Sequence, residues 1–342
     1  MSKIKIVRTG LLIHTEPWYE ARKNSLGASE VSSVLGLSQF TPAAKTFAEK
    51  VGIIEPFKSA NKFTFWGSAI EELIATAWTF YSGEEDSYIQ NEREGKVQRI
   101  CRKINGHFLN LDHPHLTASP DRIINKGSFS LIDKSPLMAS CPIEIKTVSG
   151  FEMKRWETGI PPYYLAQIHA QMLCMGSNYG ELAILEDGRS LHVYPIQRSE
   201  ELINIIIEKT TSFWNDRVIP AKKLMERMAT ANEKEKEEIA TELYRLEPLP
   251  EPTEAYQEFL KERYKTEPIS REITAEEHGM AVMYDSARAI AKNAEADMLF
   301  AKNKLLHSMQ GVEEVKDEVV KVVNRPASET QKRAFFAITF KK

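Results

Sequence analysis

The chain has 342 residues, 42% hydrophobic and 27% charged, which is the balance of a globular protein rather than a disordered or fibrous one. Its formal net charge is −3, and the charges are balanced along its length, which excludes a protein that coats nucleic acid through bulk charge. No apolar run is long enough for a membrane span, and a signal-peptide segment is absent. Three distant cysteines indicate reduced thiols in a cytoplasm and are too few for an iron–sulfur cluster with four cysteine ligands.

Three helices are predicted between residues 15 and 50. The first begins near Pro17 and carries Arg22, and the second has Ser29 as its predicted cap. Ordinary helix ends explain this punctuation. A helix N-terminus with a serine hydroxyl and a nearby arginine is also a candidate anion site, so both interpretations stay open.

The next helix is predicted from apolar residues at Ile70, Leu73 and Ile74, with Glu71 at the edge of that face. Residues 87–91 predict an edge strand because they include tyrosine and isoleucine. Further strands are predicted at 108–111, 116–118 and 122–124.

Residues 116–146 contain the densest group of candidate catalytic side chains. Ile143 and Ile145 alternate with Glu144 and Lys146, the period-two pattern of a strand with one apolar face. Glu144 and Lys146 therefore point to the same side, about 7 Å apart along the strand. With Asp121 on the preceding strand, two carboxylates and a lysine are expected together. Carboxylate oxygens bind Mg²⁺, and a lysine orients water or neutralises developing charge.

A helix is predicted over residues 163–176, with a row of glutamines that includes Gln167 and Gln171. Solvated polar positions and a helix that contacts DNA phosphate are equally good explanations of that row. A hairpin turning at Asp187-Gly188 follows, and then a helix from Ser199 to about Arg217 that ends at Pro220.

Residues 219–342 are predicted to form a separate, mostly helical region that ends in a β-hairpin. Small and apolar residues, four of them alanines, repeat at four-three spacing, which predicts close packing on another helix: Ala287, Ala291, Ala294, Met298, Ala301 and Leu305. The predicted domains are therefore residues 1–218 and residues 219–342, and the sequence assigns no chemistry to the second.

Taken together, these motifs resemble the YqaJ-type viral recombinases and the phage lambda exonuclease branch of the PD-(D/E)xK nucleases. The resemblance spans about residues 15–215 and implies an α/β (α+β) restriction-endonuclease-like core, with a central mixed sheet flanked by helices. The residues that carry it, in family order, are Arg22 with 27–30; 66–67 with Glu71; 119–121; 144–146; and 164–167.

The resemblance also implies roles for individual residues. Asp121, Glu144 and the backbone carbonyl of Ile145 are expected to bind metal, with Glu71 acting on it through water. Lys146 is the expected catalytic lysine and Gln167 a helper that places water or phosphate. Arg22 and Ser29 match the family's pocket for a terminal 5′-phosphate. The expected cofactor is Mg²⁺, as two ions, with Mn²⁺ as a substitute.

The function that the resemblance implies is a DNA exonuclease. It would degrade the 5′ strand of linear duplex DNA and leave 3′ single strand for phage-type recombination. Expected partners are duplex DNA with free ends, a single-strand annealing protein, and copies of the same chain in a ring, commonly a trimer. Two alternatives remain: an endonuclease or flap-cutting nuclease with the same core, and a catalytically silent DNA-binding subunit.

Overall fold

The structure is a computed structural model that describes residues 4–7, 20, 22–55, 62–104, 106–156, 159–264, 270–325 and 335–340. The chain forms two compact units, Met1–Lys265 and Thr266–Lys342. The helix predicted to begin near Pro17 starts outside the described residues. Among the described residues, no helix combines the length and hydrophobicity needed to cross a bilayer.

The first unit is built on two mixed sheets flanked by helices, which confirms the predicted fold class. The strands are β1 (Ile4–Val7), β2 (Leu26–Gly27), β3 (Cys101–Arg102), β4 (His107–Asn110), β5 (Leu116–Ala118), β6 (Arg122–Ile124), β7 (Cys141–Val148), β8 (Tyr179–Glu186) and β9 (Ser190–Gln197). One sheet has the strand order β1-β4-β5-β2, and the other has the order β3-β6-β7-β8-β9.

Helices cover both faces of the five-stranded sheet. The helices of this unit are α1 (Ala28–Val34), α2 (Ala43–Val51), α3 (Lys62–Phe80), α4 (Ser87–Arg93), α5 (Gly150–Met153), α6 (Pro162–Met175), α7 (Glu200–Ser212), α8 (Ile219–Met228), α9 (Glu233–Leu246) and α10 (Glu254–Arg263). Strands β7 and β8 are parallel, so the chain crosses over between them through α5 and α6.

The alternation predicted in the central strand is confirmed. Ile143 and Ile145 pack in the same core cluster as Trp78 of α3, on one face of the sheet. Glu144 lies on the other face, where its carboxylate contacts Gln171 of α6. Helix α6 approaches the sheet closely: a Cβ at Gly180 of β8 would lie 3.0 Å from Cγ2 of Ile168. The alternation along β7 therefore places its isoleucines against α3 and its Glu144 carboxylate against α6.

A buried ion pair joins the same sheet to α3. Arg99 and Glu181 are fully buried and form a salt bridge, with the Arg99 guanidinium 3.9 Å from the centre of the Trp78 ring. The Glu181 carboxylate also accepts hydrogen bonds from Trp78 Nε1, at 2.7 Å, and from the Tyr179 hydroxyl. This carboxylate therefore has three donors in a site without solvent.

The predicted hairpin is confirmed as β8 and β9. Asp187 and Gly188 both have positive φ, +49° and +70°, and Arg189 N–H donates to Glu186 O at 2.9 Å. Positive φ at both central residues defines the type I′ turn, whose twist matches that of paired strands. Asp187-Gly188 is therefore the sequence feature that sets the register of β8 and β9.

Two local predictions are wrong. Residues 87–91, predicted as an edge strand, form helix α4, which packs beside α3 and buries none of its own side chains. Pro220 does not end the preceding helix, which continues to Met228 through a π-helical segment at Phe213–Val218. There Ile219 N–H donates to Trp214 O, five residues back, and this wider turn accommodates a proline that has no N–H of its own.

The predicted domain boundary at 218/219 falls inside this continuous helical segment, whereas the compact units divide at 265/266. Helices α8 to α10 lie in the first unit because they place apolar side chains in its core. Leu224, Ile239 and Leu243 join the main cluster, and Phe259 packs on Ala44 and Ala48 of α2.

The second unit contains a long helix and a three-stranded antiparallel sheet. Helix α11 (Ala275–Met309) has 35 residues, and only Met309 among them is buried. Strands β10 (Glu314–Lys316), β11 (Val320–Arg325) and β12 (Phe335–Phe340) pair in that order, which confirms the predicted terminal hairpin and adds a third strand. The alanine stripe of α11 is exposed, so its predicted packing on another helix stays a prediction.

Candidate active site

Asp121, Glu144 and Lys146 meet where β6 and β7 begin to diverge. Strand β6 pairs antiparallel with β7, with Arg122 opposite Ile143, so the same register places Asp121 opposite Glu144. The Asp121 carboxylate accepts a hydrogen bond of 2.7 Å from the backbone N–H of Ile145, the residue between the other two. Lys146 Nζ forms a salt bridge with Glu144. Asp121, which is 25 positions before Lys146 in the chain, is thus bound to the same segment of β7 that carries Glu144 and Lys146.

These side chains are partly shielded from solvent. Glu144 is only 3% exposed, whereas the Lys146 side chain is 31% exposed and opens the group to solvent. Burial, followed by the negative charge of Glu144, raises the pKa of Asp121 to about 7. Burial lowers the pKa of Lys146, but the charges of Glu144 and Asp121 outweigh it and hold that pKa above the usual range.

The donor set at this position suits a small hard cation. In a strand, the N–H and C=O of one residue face the same neighbour, so the Ile145 carbonyl shares the side on which Ile145 N–H meets Asp121. Two carboxylates and a carbonyl are oxygen ligands, and Mg²⁺ commonly takes few protein ligands and keeps several waters. Within the described ranges no cluster of three or more His, Cys, Asp or Glu side chains has a metal-binding arrangement. A Mg²⁺ site here would rest instead on two carboxylates and a backbone oxygen, a donor set whose chemistry suits that ion.

Glu71 reaches the same site but is held by cations. Its carboxylate forms a salt bridge with Arg122 and a second with Lys103, at 3.1 Å. Arg122 is 3% exposed, also pairs with Glu72, and donates to the backbone oxygen of Asp121 at 2.6 Å. Arg122, which the sequence analysis missed, thus fixes α3 against the residue that carries the Asp121 carboxylate. The sequence feature that could have identified Arg122 is its position directly after Asp121, at the start of β6.

The glutamine that contacts the carboxylates is Gln171. Gln171 is 1% exposed and its amide nitrogen donates to Glu144 at 2.6 Å. Gln167 is half-buried, and its side chain makes no hydrogen bond with the described residues. Both glutamines belong to the predicted row, so the pattern identified the helix face. The role of Gln167 as a helper stays a prediction.

Arg22 and Ser29 lie at the N-terminus of α1, near the same edge of the molecule. Strand β2 pairs in parallel with β5, with Gly27 opposite Thr117, so α1 begins close to the segment that leads to Asp121. The Arg22 guanidinium pairs with Glu30 at 3.2 Å, and Ser29 is exposed. Ser29 is not the helix cap: the cap is Gly27, whose N–H donates to Glu30 at 2.7 Å. The expected serine cap is therefore absent, and the Glu30 side chain reaches back to the N–H of the N-cap residue Gly27.

Glu30 is held by two cations. Lys50 Nζ lies 2.8 Å from the Glu30 carboxylate and, like Glu30, is largely buried. Burial raises the pKa of Glu30, but the charges of Arg22 and Lys50 outweigh it and lower that pKa to about 2. The ionised Glu30 is therefore a stabilising element of this end of the molecule.

We expect Glu30→Gln to reduce the free energy of unfolding at neutral pH by about 3 kcal/mol, the value of a pKa shift from 4.5 to about 2. Because the pKa is lower in the folded state, this stability is present above pH 4.5 and is lost as pH falls toward 2. Denaturant titrations of both proteins across that range test this. A difference from wild type that does not shrink in acid contradicts it. The exposed Glu233→Gln serves as the control and should change little.

The comparison with known families bears directly on this site. Residues 17–178, which include every site residue described above, match the YqaJ-like viral recombinase domain. The uncharacterized protein YqaJ of Bacillus subtilis (strain 168) is 26% identical over 210 residues, covering 60% of this chain. The aligned stretch spans only 56% of that relative's length.

Solved structures of similar fold include two exonucleases. The alkaline exonuclease LHK-Exo from Laribacter hongkongensis is 21% identical, with a TM-score of 0.45, over 63% of this chain and 98% of its own. A phage-related exonuclease from Haemophilus somnus 129PT is 13% identical, with a TM-score of 0.38, over 60% of this chain and 96% of its own. The family resemblance predicted from the sequence is confirmed: residues 17–178 match the YqaJ-like viral recombinase domain.

Proposed function

We propose that this protein is a Mg²⁺-dependent deoxyribonuclease that degrades the 5′ strand of linear duplex DNA from its end. The observation that carries the proposal is the meeting of Asp121, Glu144 and Lys146 beside the Ile145 backbone. Asp121, Glu144 and the Ile145 carbonyl would hold Mg²⁺. When bound, the ion supplies positive charge that polarises a phosphodiester and activates water.

The chain's own residues contribute positioning and charge. Lys146, whose ammonium is fixed by Glu144, can stabilise the negative charge that develops on the phosphate oxygens. Gln171 holds the other oxygen of Glu144 and so fixes the orientation of that carboxylate. Arg122 anchors Glu71 next to Asp121, where Glu71 can order water at the edge of the site.

The polarity of the proposed reaction rests on Arg22. Its guanidinium packs against Gly27 at the start of α1, so that a Cβ there would lie 2.6 Å from Arg22 Nη2. A guanidinium beside a helix N-terminus favours phosphate binding. A phosphate bound there would share the cation that now pairs with Glu30. The 3′ strand left behind would suit an annealing protein, consistent with a recombinase role.

We expect linear duplex with 5′-phosphate ends to be degraded in Mg²⁺ about tenfold faster than duplex with 5′-hydroxyl ends, since a charge-assisted contact is lost with the phosphate. Closed circular DNA should resist. Arg22→Ala should remove most of the preference between ends, whereas Arg271→Ala, which breaks an exposed arginine–glutamate pair in the second unit, should not.

Other outcomes identify the alternatives. Cutting of closed circles at the same rate as linear DNA would establish an endonuclease. DNA binding with no Mg²⁺-dependent release of nucleotides would establish a silent binding subunit. End-labelled substrates sampled over time, with and without chelator, separate the three.

A further inference from the structure

A cavity of about 400 Å³ opens directly beside the candidate active site. Thr147, the residue after Lys146, lines it together with Glu152 of α5. Its other walls come from α6, through Tyr163 and Tyr164, and from the loop between α1 and α2, through Gln39 and Phe40. Its volume is within the range of sites that enclose small ligands.

Three aromatic rings in mutual contact line this cavity. The ring centroids of Tyr164 and Tyr163 are 4.4 Å apart, and the ring of Phe40 contacts Tyr163 edge-on, with 5.8 Å between the two centroids. Gln39 donates to the Tyr163 hydroxyl at 3.3 Å.

Phe40 is held in an exposed position by its loop. Its side chain is 67% exposed. The loop is nevertheless ordered by Ser38, a largely buried residue whose hydroxyl accepts hydrogen bonds from the N–H groups of Phe40 and Thr41, at 3.2 and 3.0 Å. The ring is therefore presented to solvent at the mouth of the cavity by fixed backbone, at little cost in ordering when it binds something flat.

The lining chemistry selects the kind of ligand. Among the described residues, no lysine or arginine lines the cavity, and Glu152 places a carboxylate in it, so the cavity does not suit a phosphate. Aromatic faces stack on nucleobases, while Glu152 can accept from an exocyclic amino group and the Gln39 amide can pair with a base edge. A planar, neutral heterocycle with donors on its edge satisfies all of these groups.

We propose that this cavity binds one unstacked nucleobase of the DNA strand whose phosphate lies at Lys146. The inference rests on the proposed function, since it assumes that DNA reaches the site. It adds a base contact to a reaction that otherwise involves only the backbone. Stacking on Phe40 and Tyr163 keeps the terminal nucleotide apart from its complementary strand. The substrate end is therefore bound frayed.

The test compares DNA with and without the base. The probe is a duplex with a short unpaired 5′ end, carrying phosphorothioate linkages that resist hydrolysis, with the unpaired nucleotides either intact or abasic. Binding in Mg²⁺ is followed by fluorescence anisotropy. Wild type should bind the intact DNA about tenfold more tightly than the abasic DNA, the effect of one stacked base. Phe40→Ala should bring that ratio close to one.

The matched variants make the result specific. Tyr244→Ala removes an equally exposed aromatic ring of α9, 71% exposed, and should leave the ratio unchanged. Tyr163→Phe keeps the ring and should keep most of the ratio, whereas Tyr163→Ala should lose it. The proposal is overturned if Phe40→Ala leaves the ratio of intact to abasic binding unchanged, whether or not it weakens the binding of both DNAs.

The failure of this inference can be distinguished from failure of the proposed function. Base-dependent binding without Mg²⁺-dependent release of nucleotides from an ordinary duplex removes the nuclease and retains the base site. Degradation of ordinary duplex together with a binding ratio of one does the reverse. Because Phe40 is exposed, its replacement by alanine leaves the core intact, and a melting curve close to that of wild type verifies this.

Discussion

Lys146→Ala is expected to lower the rate of DNA hydrolysis about 1,000-fold or more, the effect of removing a fixed charge that acts in the transition state. The ammonium is bound to Glu144 and acts electrostatically on Asp121, so its loss removes a positive charge that acts on both carboxylates. Initial rates of nucleotide release from end-labelled duplex at saturating Mg²⁺ measure the effect.

The control is Lys45→Ala, which also removes a lysine paired with a glutamate, at 2.5 Å from Glu262, but lies on α2 outside the site. Its rate should match wild type. Asp121→Asn with Lys146→Ala should be no slower than the slower single variant, because groups that act as one unit are not additive. A Lys146→Ala protein that keeps the melting temperature and more than about a tenth of the wild-type rate contradicts the assignment.

Arg99→Met is expected to destabilise the first unit by about 3–5 kcal/mol, because it leaves the Glu181 carboxylate charged in a site without water. Both partners of this pair have no exposed surface, and Trp78 and Tyr179 donate to the same carboxylate. All five tryptophans lie within residues 1–265, so intrinsic fluorescence during denaturant titration reports on this unit.

The double variant Arg99→Met/Glu181→Leu separates the ion pair from simple packing. Removing both charges leaves no unpaired ion, and it should recover part of the stability lost in the single variant. A double variant that is less stable than Arg99→Met by a further full increment would show that the two side chains act independently. Breaking the exposed pair of Lys236 and Glu233 by Lys236→Met should cost less than about 1 kcal/mol.

The central strands could be predicted from sequence because their pattern is local. Ile143 and Ile145 alternate with Glu144 and Lys146, and this alternation alone places the two polar groups on one face. Asp187-Gly188 likewise determined its hairpin, since few other dipeptides tolerate positive φ at both positions. The long helix α11 was recognised from a pattern that repeats over several turns.

The identity of the contacting glutamine was not determined by local pattern. Gln167 and Gln171 are four residues apart on one helix face, and which one reaches Glu144 depends on where α6 sits along β7. That position is set by long-range packing, including the close approach of Ile168 to Gly180. The buried pair of Arg99 and Glu181 is separated by 82 residues, and nothing near either residue distinguishes it from a surface charge.

Helix α4 shows how short segments mislead. Tyr88 and Ile89 have strand propensity, but a segment of seven residues follows its tertiary surroundings rather than its intrinsic preference. Its contact is with α3, so the information needed to predict it lies outside the segment. The prediction that Pro220 ends a helix was wrong because the preceding π-helical segment, Phe213–Val218, accommodates the proline within the helix.

The position of β8 inside its sheet has a practical consequence for anyone who excises this domain. The stretch that matches the family ends at residue 178, one residue before β8 begins at Tyr179. A fragment cut at that point would lose the parallel neighbour of β7, uncovering a hydrophobic strand edge that invites aggregation. It would also lack Glu181, so the guanidinium of Arg99 would be buried without a counterion. The smallest soluble fragment must therefore extend well beyond the homologous segment.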